Sequence, residues 1–429
     1  MARLFNILFL VATASLFLLG AHLLDIAGWR YSDDSGPLLT RIHPATYIII
    51  LTTIVATFAF PRRVMQAVSS LPFILFAVAT LILFARAVII MLTGITGGEV
   101  TAVVTNFMTP ALYYVCARCV SSEVLLRWEW PLRAFFVANS LMALAERLVG
   151  HRFIPSFLDK TTDNRAAGLV AHPLNGSLLT GLLLVYLVTA RRGESKIANR
   201  LPEIALHAAA MFAFGGRAAL VFTPTIMILS AFISGRKAGE ADVTWSQRLM
   251  PLSIVLIGIC LIFLPIEFVD STLDRFSNDG NSAQTRNAAI DILFYVPPHD
   301  LLFGMNYYDR MAMAKFFHTP AGLELAWAAL TITYGLLCVL PMMIALPWLF
   351  YSMTRQMDRS AFYMMLLFLV VTAGSLAFGV KSLVVVQCVA MIQILGQRKL
   401  LRRKANVFDE LGISVRPPRS EKLFGNLSE

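Results

Sequence analysis

Long apolar runs recur along the whole chain, and short connections rich in Lys and Arg separate many of them. The chain has 429 residues, of which 57% are hydrophobic and only 14% are charged, whereas soluble domains carry about 25% charged residues. A helix that crosses a bilayer needs about 20 mostly apolar residues. The pattern therefore predicts an all-α, polytopic membrane protein with no separate soluble domain.

We predict about twelve transmembrane helices. Their approximate limits are 5–28, 44–60, 70–92, 100–120, 131–149, 168–190, 201–217, 218–234, 250–268, 323–350, 360–378 and 380–397. The first run follows a single charge, Arg3, and has no small-residue cleavage site, so it is predicted to be a retained span. The seventh and eighth helices are predicted to meet at the short sequence FGGRAAL.

The basic residues predict how these helices are oriented. Alternate connections, such as PRRVMQ, RRGESKIANR and MTRQMDR, are short and rich in Lys and Arg, which places them in the cytoplasm. Both termini are then cytoplasmic: residues 1–398 form the transmembrane domain and 399–429 a polar tail. This bias also explains the net charge of +10 without a nucleic-acid partner.

One external connection is much longer than the others. Residues 269–322, between the ninth and tenth helices, contain apolar and aromatic stretches that argue against disorder. Loops longer than about 15 residues usually carry function or are disordered. The sequence SAQTRNAAIDILFYV within this loop has apolar positions at helical spacing, which predicts a short amphipathic helix. We expect the chemistry to lie here.

Polar side chains cluster on the predicted external face. The candidates are Arg165, His172, Arg217, Arg275, Arg286, His318 and Glu324. Arginine suits phosphate because its planar guanidinium donates paired hydrogen bonds and keeps its charge. A nearby carboxylate or imidazole could deprotonate an acceptor hydroxyl. This set is the chemistry of glycosyl transfer from a lipid-linked diphosphate sugar.

Each candidate also has a structural interpretation. Arginines at the ends of spans often extend to the membrane interface, and His172-Pro173 could mark a helix kink with the histidine bonded to a freed carbonyl. Glu324 could be an acid favoured by a helix N-terminus. Arg86, Glu146 and Arg147 are interpreted as structural pairings or interfacial residues. The CARC cysteines have no Cys or His partners nearby, which argues against a metal or redox site.

Four segments, in this order, resemble the bacterial O-antigen ligase and O-antigen polymerase superfamily. They are NRAAGLVAHPLNGSLL, FAFGGRAALVF, SAQTRNAAIDILFYVPPHDLLFGMN and ELAWAALTITYGLLCVL, and together they cover roughly residues 160–345. In ligases the last segment starts with His, whereas here Glu324 stands eleven residues before Gly335 and His318 lies six residues earlier. Cys338 replaces the usual second glycine. These departures favour the polymerase branch.

The resemblance implies a function and a site. Arg217 and Arg286 would bind the donor diphosphate, Arg165 would assist, and Glu324 or His318 would be the general base. The protein would be a metal-independent, inverting glycosyltransferase of the bacterial inner membrane, without a cofactor. It would polymerise polyprenyl-diphosphate-linked oligosaccharide repeats into an exported polysaccharide, with membrane lipid, a flippase and a chain-length regulator as partners, and its active site would face the periplasm.

Three alternatives remain at this point. A ligase would transfer the finished glycan from the same donor to a lipid or protein acceptor. A transporter of lipid-linked glycans would suit twelve spans, but no repeated motif relates the two halves and the polar residues gather at one face. A structural membrane protein would leave the arginine set unexplained.

Overall fold

The described part of the chain consists of helices and the connections between them, with no strand. The structure is a computed structural model that describes residues 1–32, 36–93, 98–154, 165–190, 200–235, 282–317, 325–375, 378 and 380–397. The predicted ninth span, the tail 399–429, the two ends of the long loop (269–281 and 318–322) and the candidates Arg275, His318 and Glu324 lie outside these residues.

The helices of the first half of the chain follow the predicted spans closely. They are α1 (Ala2–Leu18), α2 (Ala21–Ile26), α3 (Pro44–Ala59), α4 (Pro61–Val68), α5 (Leu71–Leu92), α6 (Gly98–Val103), a π-helical turn (Val104–Met108), α7 (Thr109–Cys119), α8 (Ser122–Arg127), α9 (Glu129–Val149) and α10 (Pro173–Thr189). A short 3-10 helix (Leu38–Arg41) precedes α3.

The second half continues in the same way. Its helices are α11 (Leu201–Phe214), α12 (Arg217–Gly235), α13 (Ser282–Tyr295), α14 (Pro298–Phe303), α15 (Tyr307–Phe316), α16 (Ala326–Tyr334), α17 (Leu336–Thr354), α18 (Arg359–Ala373) and α19 (Val384–Leu395). The predicted boundary at FGGRAAL is confirmed: Gly215 is left-handed, with φ 63°, and α12 begins two residues later. The helix predicted within the long loop is also confirmed, as α13.

Three helices are long and apolar enough to cross a membrane among the described residues: Leu71–Leu92, Gly98–Cys119 and Leu336–Thr354. A fourth would be formed by α3 and α4 together, although this pair bends by 115°. Several other apolar helices have only 10–17 residues. These helices support a membrane protein, and the number of twelve spans stays a prediction.

Two predicted spans are wrong in their continuity. The first is interrupted between α1 and α2, at Leu19 and Gly20. The tenth is divided into α16 and α17 by Gly335, whose φ of 86° and ψ of 148° do not belong to a helix. Apolar runs define where helices lie in a membrane, but a single glycine inside a run can end one helix and start another.

Two helices form the centre of the bundle. Every residue of α19 is buried, and so are most residues of α10, which is consistent with helices that are apolar on all sides. Around them, α10 packs against α11, α12 and α18, and α19 packs against α7. The outer helices α3, α5 and α17 instead expose large apolar side chains such as Phe58, Leu81 and Ile344. Such an exterior suits contact with lipid.

The connections between helices gather at two ends of this bundle. At one end, Arg63 Nη1 donates to Cys119 O at 2.8 Å, Arg200 Nη1 donates to Leu187 O at 2.8 Å, and Asp358 N–H donates to Gly396 O at 3.1 Å. These are the connections predicted to be cytoplasmic. The connections predicted to be external meet at the other end, which we call the site end.

Candidate functional site

The site end is organised around the start of α10. His172 is the N-cap residue of this helix and Pro173 is its first residue, where a proline is accommodated because its missing N–H has no helical partner. The His172 Nδ1 accepts the Asn175 N–H at 3.4 Å. The predicted kink is therefore wrong: this His-Pro pair begins a helix, and the histidine Nδ1 accepts a backbone N–H of that helix.

The segment before α10 is not helical, and buried side chains bind its backbone. Glu146 Oε2 accepts the N–H groups of Ala167 and Gly168, both at 2.8 Å, while Oε1 accepts the Phe153 N–H at 3.1 Å. Asn139 Oδ1 accepts the Val170 N–H at 3.1 Å. Buried amides need such acceptors, so these two side chains of α9 fix the path of the chain into α10.

Two hydrogen bonds to other parts of the chain fix the backbone of this segment near Arg165. Its carbonyl oxygen accepts a hydrogen bond from Arg152 Nε at 2.9 Å, and the neighbouring Ala166 N–H donates to Ala213 O at 3.1 Å. The second bond joins the segment to the end of α11, four residues before Arg217. The side chains of Arg165 and Arg217 are both partly exposed. The structure thus brings together the two chain segments that carry these predicted phosphate ligands.

Glycines allow the turn that carries Arg217 to lie directly against α10. A Cβ atom on Gly216 would come within 2.6 Å of Ser177 Cβ, and one on Gly176 within 2.7 Å of the Phe214 ring. Gly168 also meets Phe214 and has a φ of 59°, so a side chain there would be strained as well as crowded. Larger residues at these positions would separate the two segments.

A closed set of contacts surrounds the start of α10, and we call it the polar ring. Its members are Gly20, Tyr31, His43, Leu169, Ala171, Asn175, Lys381 and Ser382. Gly20 lies against Ala171 and Leu169. From there the ring passes through the 19–43 connection, where His43 Nε2 bonds Leu19 O at 2.7 Å and the His43 ring meets the Tyr31 ring edge-on at 5.4 Å between centroids. Several connections thus converge on one helix start.

The ring closes through the connection between α18 and α19. Lys381 Nζ lies 4.8 Å from the centroid of the Tyr31 ring, and Asn175 Nδ2 donates to Ser382 Oγ at 3.5 Å. The fully buried Asn106 holds this connection: its Nδ2 donates to Phe378 O at 3.1 Å and to Val380 O at 2.8 Å, and its Oδ1 accepts the Ser382 N–H at 2.9 Å. Asn106 lies in the π-helical turn, and such turns are frequent at functional sites.

Burial sets the protonation of the two aromatic members of the ring. It lowers the pKa of His43 to about 4, so the imidazole is neutral, with Nδ1 accepting the Ala45 N–H and Nε2 donating to Leu19 O. Burial also raises the pKa of Tyr31 above its ordinary value, so the phenol keeps its proton. Neither side chain adds a charge beside Lys381.

The long loop docks on the bundle through two glycines. Gly304, with φ 90°, and Gly335, with φ 86°, lie back to back, and a Cβ on Gly304 would come within 2.6 Å of Thr333 O. Met305 N–H donates to Ile332 O at 2.8 Å, and Arg86 Nη2 donates to Gly304 O at 3.3 Å. The LFG and TYG sequences of the third and fourth resembling segments are therefore in direct contact.

An ion pair adds to this docking. Arg310 of α15 donates from Nη2 to Glu99 Oε1 at 2.6 Å and from Nη1 to Thr333 Oγ1 at 2.9 Å. The Tyr334 hydroxyl donates to Glu99 O at 3.2 Å. α14 and α15 bury none of their residues fully, so this ion pair adds to the packing of the partly buried Leu301 and Met313 against the small core that includes Ile292 and Ile332. The sequence interpretation did not single out Glu99 or Arg310.

The remaining predicted residues lie apart from the polar ring or outside the described part of the chain. Arg286 is partly exposed in the second turn of α13, which packs against α16. Both α16 and the Arg217 helix, α12, pack against α18. Arg275, His318 and Glu324 lie outside the described residues. Within the described residues, no group of three or more His, Cys, Asp or Glu side chains could hold a metal ion.

Comparison with known proteins finds no match: no family model, no curated protein and no solved structure is significantly similar to the chain.

Proposed function

We propose that the protein is a glycosyltransferase of the bacterial inner membrane that polymerises polyprenyl-diphosphate-linked oligosaccharide repeats. In this proposal the chain crosses the membrane twelve times, both termini are cytoplasmic, and the site end faces the periplasm. One observation carries most weight: the segments bearing Arg165 and Arg217 are joined by a backbone hydrogen bond and close glycine contacts beside the capped start of α10.

The arginines would bind the donor. Arg217 and Arg286 would hold the diphosphate by paired hydrogen bonds, with Arg165 assisting, and would stabilise the negative charge that grows on it as it leaves. The two segments that resemble the loop and acceptor parts of the family meet at Gly304 and Gly335. Their contact supports a single site built from the long loop and the bundle.

The reaction would be one displacement at the anomeric carbon of the donor sugar. An acceptor hydroxyl oxygen forms the new glycosidic bond while the bond from the anomeric carbon to the diphosphate oxygen breaks, and its electron pair leaves with the polyprenyl diphosphate. Glu324 or His318 would take the hydroxyl proton. A single displacement inverts the configuration of the sugar.

Replacing each donor-binding arginine tests this proposal in cells. We expect Arg217→Ala and Arg286→Ala to abolish polymer while single repeats still reach the lipid carrier, because donor binding and leaving-group stabilisation are lost together. Gel analysis of the glycan measures this. Arg30→Ala is the matched control, since Arg30 is an exposed arginine at the same end of the bundle, and it should polymerise normally. Normal polymer in both test variants would refute the mechanism.

Two further measurements refine the assignment. Purified protein given only the lipid-linked repeat should lengthen it, whereas a ligase would need a second acceptor and a transporter would leave it unchanged. Glu324→Gln and His318→Ala, made separately, should identify the base: the variant that retains donor binding but loses turnover carries the residue that accepts the proton.

A further inference from the structure

Arg86 is a half-buried charged side chain within α5, one of the helices long and apolar enough to cross a membrane. The sequence predicted a structural pairing or an interfacial position for it. Within the described residues Arg86 forms no ion pair, and its one hydrogen bond runs from Nη2 to Gly304 O at 3.3 Å. Its Nε is enclosed without a partner, whereas Nη1 makes no hydrogen bond and is not enclosed. The guanidinium therefore has an uncompensated charge and an open donor.

The acids of the elements around Arg86 have other partners. Glu99 Oε1 accepts a hydrogen bond from Arg310 Nη2 at 2.6 Å. Asp300 of α14 and Asp309 of α15 bond to side chains close to them in sequence. A charged group inside a transmembrane helix normally pairs with another group or marks a path for a ligand. With these carboxylates engaged elsewhere, a ligand is the remaining source of a counter-charge.

The surface around Arg86 suits lipid. Ile82 and Ile89 lie one turn to either side of it on the same face of α5, and they are 37% and 51% exposed. The elements beside this face, α14 and α17, also expose large apolar side chains, just before Gly304 and just after Gly335: Leu302, Phe303, Leu337 and Leu340. Three elements thus present apolar surface around one cation.

Arg86 lies close to the level of the lipid headgroups. α5 has 22 residues and is about 33 Å long, slightly more than the ~30 Å hydrocarbon core of a bilayer. Arg86 lies about 9 Å before its last residue, Leu92, at the site end. The helices of the long loop expose Tyr295 and Tyr308 by 69% and 73%, and tyrosine is enriched at the membrane interface. A long arginine side chain extends to that level.

We propose that Arg86 binds the headgroup phosphate of a phospholipid in the leaflet at the site end. A guanidinium donates paired hydrogen bonds to phosphate, so Nη1 and the second hydrogen of Nη2 would hold two phosphate oxygens. The acyl chains would lie along the face that exposes Ile82 and Ile89. The site is built from helices other than those that carry Arg165 and Arg217, and it does not depend on the proposed function.

The test counts lipids bound to the purified full-length protein by native mass spectrometry. Phosphatidylglycerol is the probe, and diacylglycerol is the matched lipid without a phosphate. We expect the wild type to bind phosphatidylglycerol in preference to diacylglycerol, and Arg86→Met to weaken phosphatidylglycerol binding about tenfold, which is about 1.4 kcal/mol. Arg86→Lys should retain part of the binding, because it keeps the charge but loses the planar fork.

A second variant keeps Arg86 and removes its free charge. Ile89→Glu places a carboxylate one turn away on the same face, where it should pair with Arg86 and abolish the preference for phosphatidylglycerol. It also serves if Arg86→Met fails to fold. Leu92→Glu is the matched control, because Leu92 is an exposed residue on another face of α5, and it should bind the lipid as the wild type does.

Three results would overturn this site. They are wild-type binding by a folded Arg86→Met variant, equal weakening by Ile89→Glu and Leu92→Glu, and a wild type without preference for phosphatidylglycerol. Tighter binding of polyprenyl diphosphate than of phosphatidylglycerol, lost in Arg86→Met, would contradict a phospholipid as the occupant. Polymer formation by the Arg217→Ala variant is measured separately, so failure of the lipid site leaves the proposed function standing.

Discussion

A buried carboxylate binds backbone amides beside the site. Glu146 is only 2% exposed and accepts three backbone N–H groups from two segments of chain. Hydrogen bonds to a charged acceptor are stronger than neutral ones, and leaving a buried amide without an acceptor is costly. The path of residues 165–171 therefore depends on this side chain.

Glu146→Gln should destabilise the protein by about 2 kcal/mol. The amide side chain has one carbonyl oxygen, which can replace Oε2 as acceptor for Ala167 and Gly168, but its NH₂ group would then face the Phe153 N–H. We expect a lower melting temperature for the purified variant, measured by calorimetry or by loss of native fluorescence.

The matched control for that substitution is Glu123→Gln, because Glu123 is exposed in the first turn of α8. It should melt within a degree or two of the wild type. Equal melting temperatures for the two variants would show that the Glu146 carboxylate has no special role.

The sequence interpretation gave Glu146 a structural pairing or an interfacial position but identified no partner for it. The groups that it binds are the amides of residues 153, 167 and 168. Such partners cannot be predicted from side-chain types, because every residue except proline has an N–H and only the fold decides which ones a carboxylate reaches.

At the scale of helices, hydrophobic length located most elements to within a few residues, since membrane helices must bury their backbone bonds within one apolar run. The break between α16 and α17 was not predicted, because TITYGLLCVL reads as one continuous apolar run. Its cause is a long-range contact: Gly335 meets Gly304, thirty-one residues earlier, and both adopt a positive φ.

Gly304→Ala should loosen the docking of the long loop. The added Cβ would lie 2.6 Å from Thr333 O and 2.8 Å from the Tyr334 carbonyl carbon, in a backbone conformation that alanine rarely adopts. A cost of at least about 2 kcal/mol follows from the strain alone. Hydrogen exchange in α14 and α15 should accelerate, and limited proteolysis should cut this region sooner.

Gly374→Ala provides the comparison for the docking experiment. Gly374 has a negative φ, and a Cβ there would meet nothing within 4 Å, so exchange in α14 and α15 should be unchanged. Protection at wild-type levels in Gly304→Ala would show that the glycine contact does not hold the loop.

At the scale of the whole molecule, the sequence predicted which connections lie at the same end of the bundle. It did not predict which residues of those connections contact one another. Arg165 and Arg217 were predictable because arginines at the ends of apolar runs stand out. The positions of Tyr31, Asn106 and Lys381 near the start of α10 were not predictable. These residues lie in two separate connections and one predicted span, and nothing in the surrounding sequence distinguishes them. Their common position depends on α1, α7 and α10 each packing against α19.

Cysteine labelling in intact cells tests the two ends of the bundle. Ser32→Cys and His151→Cys should react with a membrane-impermeant maleimide from the periplasmic side, whereas Arg62→Cys and Arg355→Cys should react only after the membrane is permeabilised. All four positions are exposed.

The wild-type protein is the control for this labelling: Cys116, Cys119 and Cys388 are buried, and the wild type measures any reaction of the half-buried Cys338 and of the other native cysteine, Cys260. Labelling of Ser32→Cys and Arg62→Cys from the same side would contradict the predicted topology.

The polar ring also has a consequence for biosynthesis. Gln387 Nε2 of α19 donates to Leu16 O of α1 at 2.7 Å, across 371 positions of sequence, and Lys381 closes the ring on Tyr31. A ribosome releases α1 into the membrane long before it has made α19, so the first helix must wait for a partner that is synthesised 371 positions later. The polar ring would therefore stay open until α19 is made, and under the proposed function a nascent chain could not carry out glycosyl transfer before then.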